Sequence, residues 1–488
     1  MTVNHIVDIF LNPKNVAVIG ASKNPTKGGY RIINNLLTNN YKGKIFPINP
    51  NSEGEVLGLR INKSILEIKE DIDLAIFYTP NSVVPDVLKD CIKKNVKGAL
   101  IETAGFEEVG ERGLELKDKI IEVTDNFSKI RIVGPNCMGL TKVDGDSESE
   151  EKGGFFSGFG VFNNYKRGNI AIITQSGMLN GGYLMNMMEN YPEMGIRYSL
   201  SIGNKMDLSE IEFLEYCIND PSVNVIVLYL ESFKDPRKFI ELCKQVKTIP
   251  NKTIILLKGG RTALGQKASS SHTGSLAESK FLIQAIIKQA GIIQAENLYD
   301  LFQFARTFSM IYSSGKKLPK YGNVSMMAGS GGAGTITADL TMKYGLTFPI
   351  MEEKTYQVLK ELYPEWMPPN RFALLDLFPT FEKARMNNVS QKDVMTRIWK
   401  TVIDDSNIEG VFNMMFASKR FSDRYDIDEI THFKTDKIIF MWMVGDTEGI
   451  LHISRLLNRN HIGTFTSIEE MIKNFSILLQ ESKNKDFS

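Results

Sequence analysis

Residues 267–277, Lys267-Ala268-Ser269-Ser270-Ser271-His272-Thr273-Gly274-Ser275-Leu276-Ala277, set one of only five histidines in a run of small, hydroxylated and glycine residues. That composition predicts a tight loop with free backbone N–H groups and little side-chain bulk, open to close approach by an anion. Neutral imidazole is nucleophilic near neutral pH, and surrounding N–H donors would hold phosphate oxygens. His272 therefore reads as a candidate phosphoryl acceptor. The same run also suits a plain connecting loop, and the choice turns on what the rest of the chain positions around it.

Three segments share one local grammar. Val16-Ala17-Val18-Ile19 ends at Gly20-Ala21-Ser22 and leads through Lys27-Gly28-Gly29 into a helical pattern. Ile170-Ala171-Ile172-Ile173 ends at Thr174-Gln175-Ser176-Gly177, before a Met/Leu-rich helical pattern. Val324-Ser325-Met326-Met327 ends at a glycine-rich turn, Gly329 to Gly334. Continuous apolar strands alternating with amphipathic helices predict an α/β fold with parallel sheets covered on both faces. Each loop falls at the carboxyl end of a strand, where open α/β sheets bind ligands beside a helix N-terminus that favours anions. The acidic run 144–154 and the stretch 313–320 read as connectors, so the expected domains are 1–143, 155–313 and 321–488.

In the first domain, Gly20 to Gly29 is not a full dinucleotide fingerprint, because Ser22 stands where a second glycine would be. The second strand, Ile45-Phe46-Pro47-Ile48, ends in Asn49-Pro50 rather than the acid that would bind an adenosine ribose. NAD is disfavoured, while Lys27 beside a glycine loop suits a phosphorylated ligand. Ile132-Val133-Gly134-Pro135-Asn136-Cys137 ends another buried strand. Asn136 is placed to contact a ligand there, and Cys137 is more naturally a buried, inert thiol.

Composition narrows the function classes. Lys plus Arg number 58 against 57 for Asp plus Glu, which argues against a large nucleic-acid surface. No apolar run reaches membrane-spanning length, and Met1-Thr2-Val3-Asn4-His5 carries no signal-peptide pattern, so a cytoplasmic location is expected. The four cysteines match neither a disulfide framework nor a zinc spacing, and no metal site is expected. At 488 residues the chain is long enough for about three domains.

Together these segments resemble, in order along the chain, the alpha subunit of ADP-forming acetyl-CoA synthetase, in the superfamily that includes succinyl-CoA synthetase. Val18-Ile19-Gly20-Ala21-Ser22 with Pro25, Lys27 and Gly29 is similar to that family's CoA-binding loop. Pro47-Ile48-Asn49-Pro50 and Ile132 to Cys137 resemble its further CoA-site turns. Gln175-Ser176-Gly177 resembles its active-site strand–helix turn and Ser201-Ile202-Gly203-Asn204-Lys205 its Leu-Gly-Asn-Lys motif, while Tyr229-Leu230-Glu231 and Ser270 to Ser275 resemble its phosphohistidine machinery. The resemblance implies a Rossmann-like CoA-binding domain followed by two flavodoxin-like ligase domains. It implies coenzyme A sites at Gly20, Ser22, Pro25, Lys27, Asn49, Pro50, Asn136 and Cys137, and a phosphate site at Gln175, Ser176 and Gly177. His272 would be phosphorylated and Glu231 would hold its other ring nitrogen. ADP or ATP with Mg2+ would bind on a separate ATP-grasp beta subunit.

The implied reaction interconverts acyl-CoA, ADP and phosphate with free acid, CoA and ATP through an acyl phosphate and the phosphohistidine. Gly331-Gly332-Ala333-Gly334 departs from the family's Gly-Gly-Pro-Gly. Asp376 and Leu377-Phe378-Pro379 are what remain of its Asn-Pro-x-Asp segment. Met178 and Asn180 stand where smaller residues are usual. The eroded third domain motivates the alternative expectation, a CoA- or acyl-CoA-binding sensor without catalysis.

Overall fold

The computed structural model describes residues 5–149, 152–158, 160, 165–184, 191, 194–273, 280–418 and 426–486. The chain divides into two compact units, Met1–Ala305 and Arg306–Ser488.

The first unit contains two sheets. In the first sheet, β1 (Asn15–Ile19), β2 (Lys44–Ile48), β3 (Leu74–Phe77), β4 (Gly98–Ile101) and β5 (Arg131–Val133) are all parallel, in the order β2-β1-β3-β4-β5. β3 and β4 are buried at every position, as expected for strands covered on both faces. The crossover helix Gly28–Thr38 turns Ile32, Ile33 and Leu36 inward on one face.

The second sheet starts with the hairpin β6 (Leu140–Gly145) and β7 (Gly153–Phe156). It continues with β8 (Arg167–Thr174), β9 (Ile196–Ser201), β10 (Val225–Leu230), β11 (Thr253–Lys258) and β12 (Ile293–Gln294). Its order is β12-β11-β10-β8-β9-β6-β7, parallel except for the hairpin, which pairs antiparallel with β9. The two ends of the acidic run read as a connector, 144–145 and 153–154, are therefore parts of paired strands of this sheet. Alternating burial in Leu140–Gly145 explains why the segment pairs: one face packs while the other meets solvent.

One apolar cluster runs from Val16, Val18 and Leu36 through Leu140 and Phe155 to Ala171, Tyr198 and Leu228, so both sheets share a core. Polar ties reinforce it. The Asn35 side-chain amide donates to the carbonyls of Gly158 (2.7 Å) and Gly160 (2.6 Å), and Tyr165 Oη donates to Asn39 (2.8 Å).

In the second unit, β13 (Val324–Ala328), β14 (Leu374–Asp376), β15 (Gly410–Ala417), β16 (Ile438–Gly445) and β17 (Gly463–Phe465) form a parallel sheet in the order β14-β13-β15-β16-β17. Numbered by appearance, all three parallel sets share the order 2-1-3-4-5, a doubly wound arrangement with its switch point beside the first strand. Helix starts are encoded locally. Ser209 and Glu212 form a reciprocal capping box, and Asp235 accepts from the N–H groups of Arg237 and Lys238 ahead of Pro236 at the first helical turn. Among the described residues no helix is long and apolar enough to cross a membrane.

Candidate active site

The first sheet builds its switch-point turn around Gly20, whose φ of +91° belongs to the left-handed region. A side chain there would meet the Tyr78 carbonyl at 2.1 Å, and one on Gly29 would meet the Gly20 carbonyl at the same distance. Both glycines let the helix start seat directly on the strand end. Ile48 accepts from the N–H groups of Gly20 (2.9 Å) and Ala21 (3.1 Å), and the Asn49 amide donates to Ala21 O at 2.7 Å. Asn49 thus ties the turn down from below. Lys27 sits exposed at the N-cap of the following helix, and Ser22 accepts from Asn24 N at 3.1 Å.

A second wall comes from two loops laid against each other. Asn136 has φ +57° after the cis Gly134–Pro135 bond. Its amide donates to Asn204 Oδ1 at 3.3 Å, and Asn204 donates in turn to Glu108 at 2.7 Å. Backbone bonds from Asn204 N to Pro135 O (2.9 Å) and from Met206 N to Gly134 O (3.0 Å) complete the seam. Gly203 is needed here: a side chain on it would lie 2.2 Å from Pro135 O. Arg131 grips Asp207 with two parallel bonds of 2.8 Å, which fixes where the seam begins and holds the guanidinium above its usual pKa.

The third element is the turn after β8. Gln175 is buried, and its side-chain oxygen accepts from the backbone N–H groups of Glu231 (2.7 Å) and Ser232 (3.2 Å) at the end of β10. Ser176 accepts from Leu179 N at 3.4 Å. The expected helix follows, wound as a π-helix over Met178–Leu184, and Asn180 accepts from the Ser199 hydroxyl from inside it.

These three elements line one open cavity of about 840 Å³. Gly20, Ser22, Lys27, Asn136, Cys137, Gln175, Ser176 and Gly177 all line it, so candidate CoA-site and phosphate-site residues share a wall. Pro25 and Pro50 are exposed and, like Asn49, are not among its lining residues. Cys137 is buried, its thiol donates to Ile101 O at 3.4 Å, and burial together with nearby Glu102 pushes its pKa far up. It stays a neutral thiol and is no nucleophile.

Glu102 also lines the cavity, although it is only 4% exposed, as do Tyr78 and Asn204. Reasoning from the sequence passed over Glu102. Its signal was an acid set directly on the end of the apolar strand Gly98–Ile101.

Glu231 lies beside Gln175 at the end of β10. Tyr229 Oη donates to its Oε1 at 3.3 Å and Ser269 Oγ to its Oε2 at 3.3 Å. Burial and the Glu231 charge drive the Tyr229 phenol well above its usual pKa, so it remains a donor. Residues 263–273 form a helix rather than the expected loop. The Thr262 hydroxyl caps it by accepting from Gly265 N at 3.1 Å. His272 falls in this helix, and its side chain lies outside the described residues, as does the segment 274–279. Among the described residues no three His, Cys, Asp or Glu side chains converge as a metal site.

Two α/β modules that open onto a common cavity carry family signatures. Residues 14–142 match the model of a CoA binding domain, and residues 167–308 match that of a succinyl-CoA ligase like flavodoxin domain. Together they place a CoA binding module ahead of a succinyl-CoA ligase like flavodoxin module in one chain. The chain belongs to the ADP-forming acetate–CoA ligase family: it is 36% identical over 360 residues to the alpha subunit of acetate–CoA ligase (ADP-forming) II from Pyrococcus furiosus, covering 74% of each. It is 30% identical over 467 residues to acetate–CoA ligase (ADP-forming) II of Archaeoglobus fulgidus, spanning 96% of this chain but 65% of that protein. The solved structure of dinucleotide-forming acetyl-coenzyme A synthetase 1 from Ca. Korarchaeum cryptofilum, in complex with phosphate and ADP, superimposes with a TM-score of 0.81 at 27% identity. That match covers 99% of this chain and 98% of the other.

Proposed function

We propose that this chain is the alpha-type subunit of an ADP-forming acid–CoA ligase working through a phosphohistidine at His272. The observation that carries the reading is the single cavity shared by the glycine turn at Gly20, the Asn136 loop and the Gln175-Ser176-Gly177 turn, with Glu231 bonded to that last turn. In this reading CoA lies along Gly20, Ser22, Lys27, Asn136 and Cys137, with Pro25, Asn49 and Pro50 shaping the turns around it. Phosphate is held at Gln175, Ser176 and Gly177 by backbone N–H groups.

Phosphate attacks the thioester carbonyl, CoA leaves as thiol, and an acyl phosphate forms. A His272 ring nitrogen then takes the phosphoryl group and the free carboxylate departs. Glu231 accepts from the other ring nitrogen, fixing the tautomer and balancing the positive charge that develops. The Ser269–Glu231 bond supports that pairing, because His272 follows Ser269 by three residues on the same helix. The phosphohistidine finally passes its group to ADP. Positioning and charge stabilisation carry most of the work.

ADP and its Mg2+ belong, in this proposal, to an ATP-grasp partner subunit. The name of the Pyrococcus relative, a subunit alpha, supports a second chain. The test mixes the chain with such a partner, acetyl-CoA and radiolabelled phosphate. Acid-labile label on wild type, absent from His272→Asn and chased into ATP by ADP, is the expected result. Equal label on His272→Asn would contradict it.

A further inference from the structure

The turn that carries Glu231 is held by more than Gln175. Lys258, the last residue of β11 and 2% exposed, points its ammonium at two carbonyls, Glu231 O at 2.6 Å and Gly259 O at 2.8 Å. Its Nζ also lies 5.7 Å from the Phe233 ring centroid. On the far side of the turn, the buried Lys205 ammonium donates to Ser232 O at 2.7 Å and pairs with Glu210 at 2.8 Å. Both carbonyls of the Glu231-Ser232 pair therefore accept from cations, and both of its N–H groups donate to Gln175.

Gly259 opens the segment that leads into the helix bearing His272. A side chain on Gly259 would sit 3.2 Å from Glu231 Cγ and 2.9 Å from Tyr229 Oη, so the two strand ends are in close register. Bonded to one carbonyl on each, Lys258 is the bracket between the carboxylate and the stem of that helix.

We propose that Lys258 is a positioning residue for the phosphoryl relay, holding Glu231 in register with the helix that carries His272; this rests on the relay reading given above. A charged donor on two carbonyls in a buried turn is stiffer than a neutral hydrogen bond, and removing it lets the Glu231 carboxylate drift. A misplacement of about 1 Å at such a site costs on the order of 100-fold in rate.

The experiment measures the rate of acid-labile labelling from acetyl-CoA and radiolabelled phosphate in the complex with the ATP-grasp partner. It compares wild type, Lys258→Met, Glu231→Gln and the double variant, with the CoA dissociation constant read in parallel. Lys258→Met should slow labelling on the order of 100-fold and leave CoA affinity unchanged. A residue acting through Glu231 adds nothing once Glu231 is lost, so the double variant should label no more slowly than Glu231→Gln alone. Should Lys258→Met fail to fold, Lys258→Gln, which keeps a donor toward the carbonyls, enters the same cycle with a smaller loss. Labelling of Lys258→Met at the wild-type rate, or effects that simply add in the double variant, would overturn the assignment while leaving the relay intact. Absence of label on wild type would remove the relay itself and Lys258's role with it.

Discussion

The turns after β8 and β13 occupy the same place in parallel strand sets of identical order, yet they spend their polar groups differently. After β8, Gln175 reaches across to the end of β10 and Gly177 faces the cavity. After β13, Ser330 turns back on its own helix and accepts from Ala333 N at 3.5 Å. Asp376 brings a carboxylate to that turn, accepting from Phe378 N at 3.0 Å and lying 3.2 Å from where a Gly331 side chain would begin. Asp376 lies at the helix start itself, where its charge opposes an anion on the bare turn, whereas Glu231 stands beside Gln175 at the end of β10. Topology supplies the place, and the side chains on neighbouring strand ends set the polar groups around it.

The sharpest way to break that contrast is to neutralise one acid on each side. Glu231→Gln should lower turnover by about 1,000-fold, whereas Asp376→Asn should change it by about threefold or less. Comparable losses in steady-state kinetics would erase the distinction.

Stability should follow the same division between units. Removing the charge of Glu210 strands the buried Lys205 ammonium at the Glu231-Ser232 turn, so Glu210→Gln should cost about 3–5 kcal/mol in a denaturant titration. The pair Lys343–Glu469 in the second unit is open to solvent, and Lys343→Met should leave the melting temperature unchanged. A glycine pair gives a smaller contrast. Gly20→Ala meets a carbonyl in a left-handed conformation and should lose roughly 3 kcal/mol as well as CoA affinity. Gly345→Ala, with φ +70° but open space around it, should lose about 1 kcal/mol.

A pH slope at Lys316 in the second unit is a separate test. Burial lowers the Lys316 pKa to about 8, where its ammonium donates to Lys437 O at 2.7 Å. The unfolded chain binds this proton more tightly than the folded one. Stability should therefore rise with pH from about 8 towards the ordinary lysine range, and the penalty is fully present below 8. Lys316→Met should flatten that rise relative to wild type, and an unchanged slope would remove the assignment.

Much of this arrangement was legible in the sequence because buried parallel strands are unbroken apolar runs. Val16–Ile19, Ile170–Ile173 and Val324–Met327 announce three sheet starts, and the glycines after them announce turns. The hairpin Leu140–Phe156 escaped notice because acidic residues at its tip resemble a linker, while its period-2 burial is short. The run at 267–277 reads as a loop because serine and glycine favour turns, yet its residues up to Thr273 belong to a helix that starts at Ala263 and is capped by Thr262. Side-chain direction was beyond sequence reasoning. Nothing in Gln175 says that its oxygen serves Glu231 and Ser232, and nothing in Lys258 says that it brackets two strand ends.

The central claim is that the cavity at Gln175 feeds a histidine. Phosphorus NMR of the chain with an ATP-grasp partner, acetyl-CoA and phosphate tests it most directly. A histidine phosphoramidate resonance that vanishes on adding ADP and never appears in His272→Asn is the expected result. The same resonance in His272→Asn, or steady consumption of acetyl-CoA with no phosphoramidate in wild type, would contradict it.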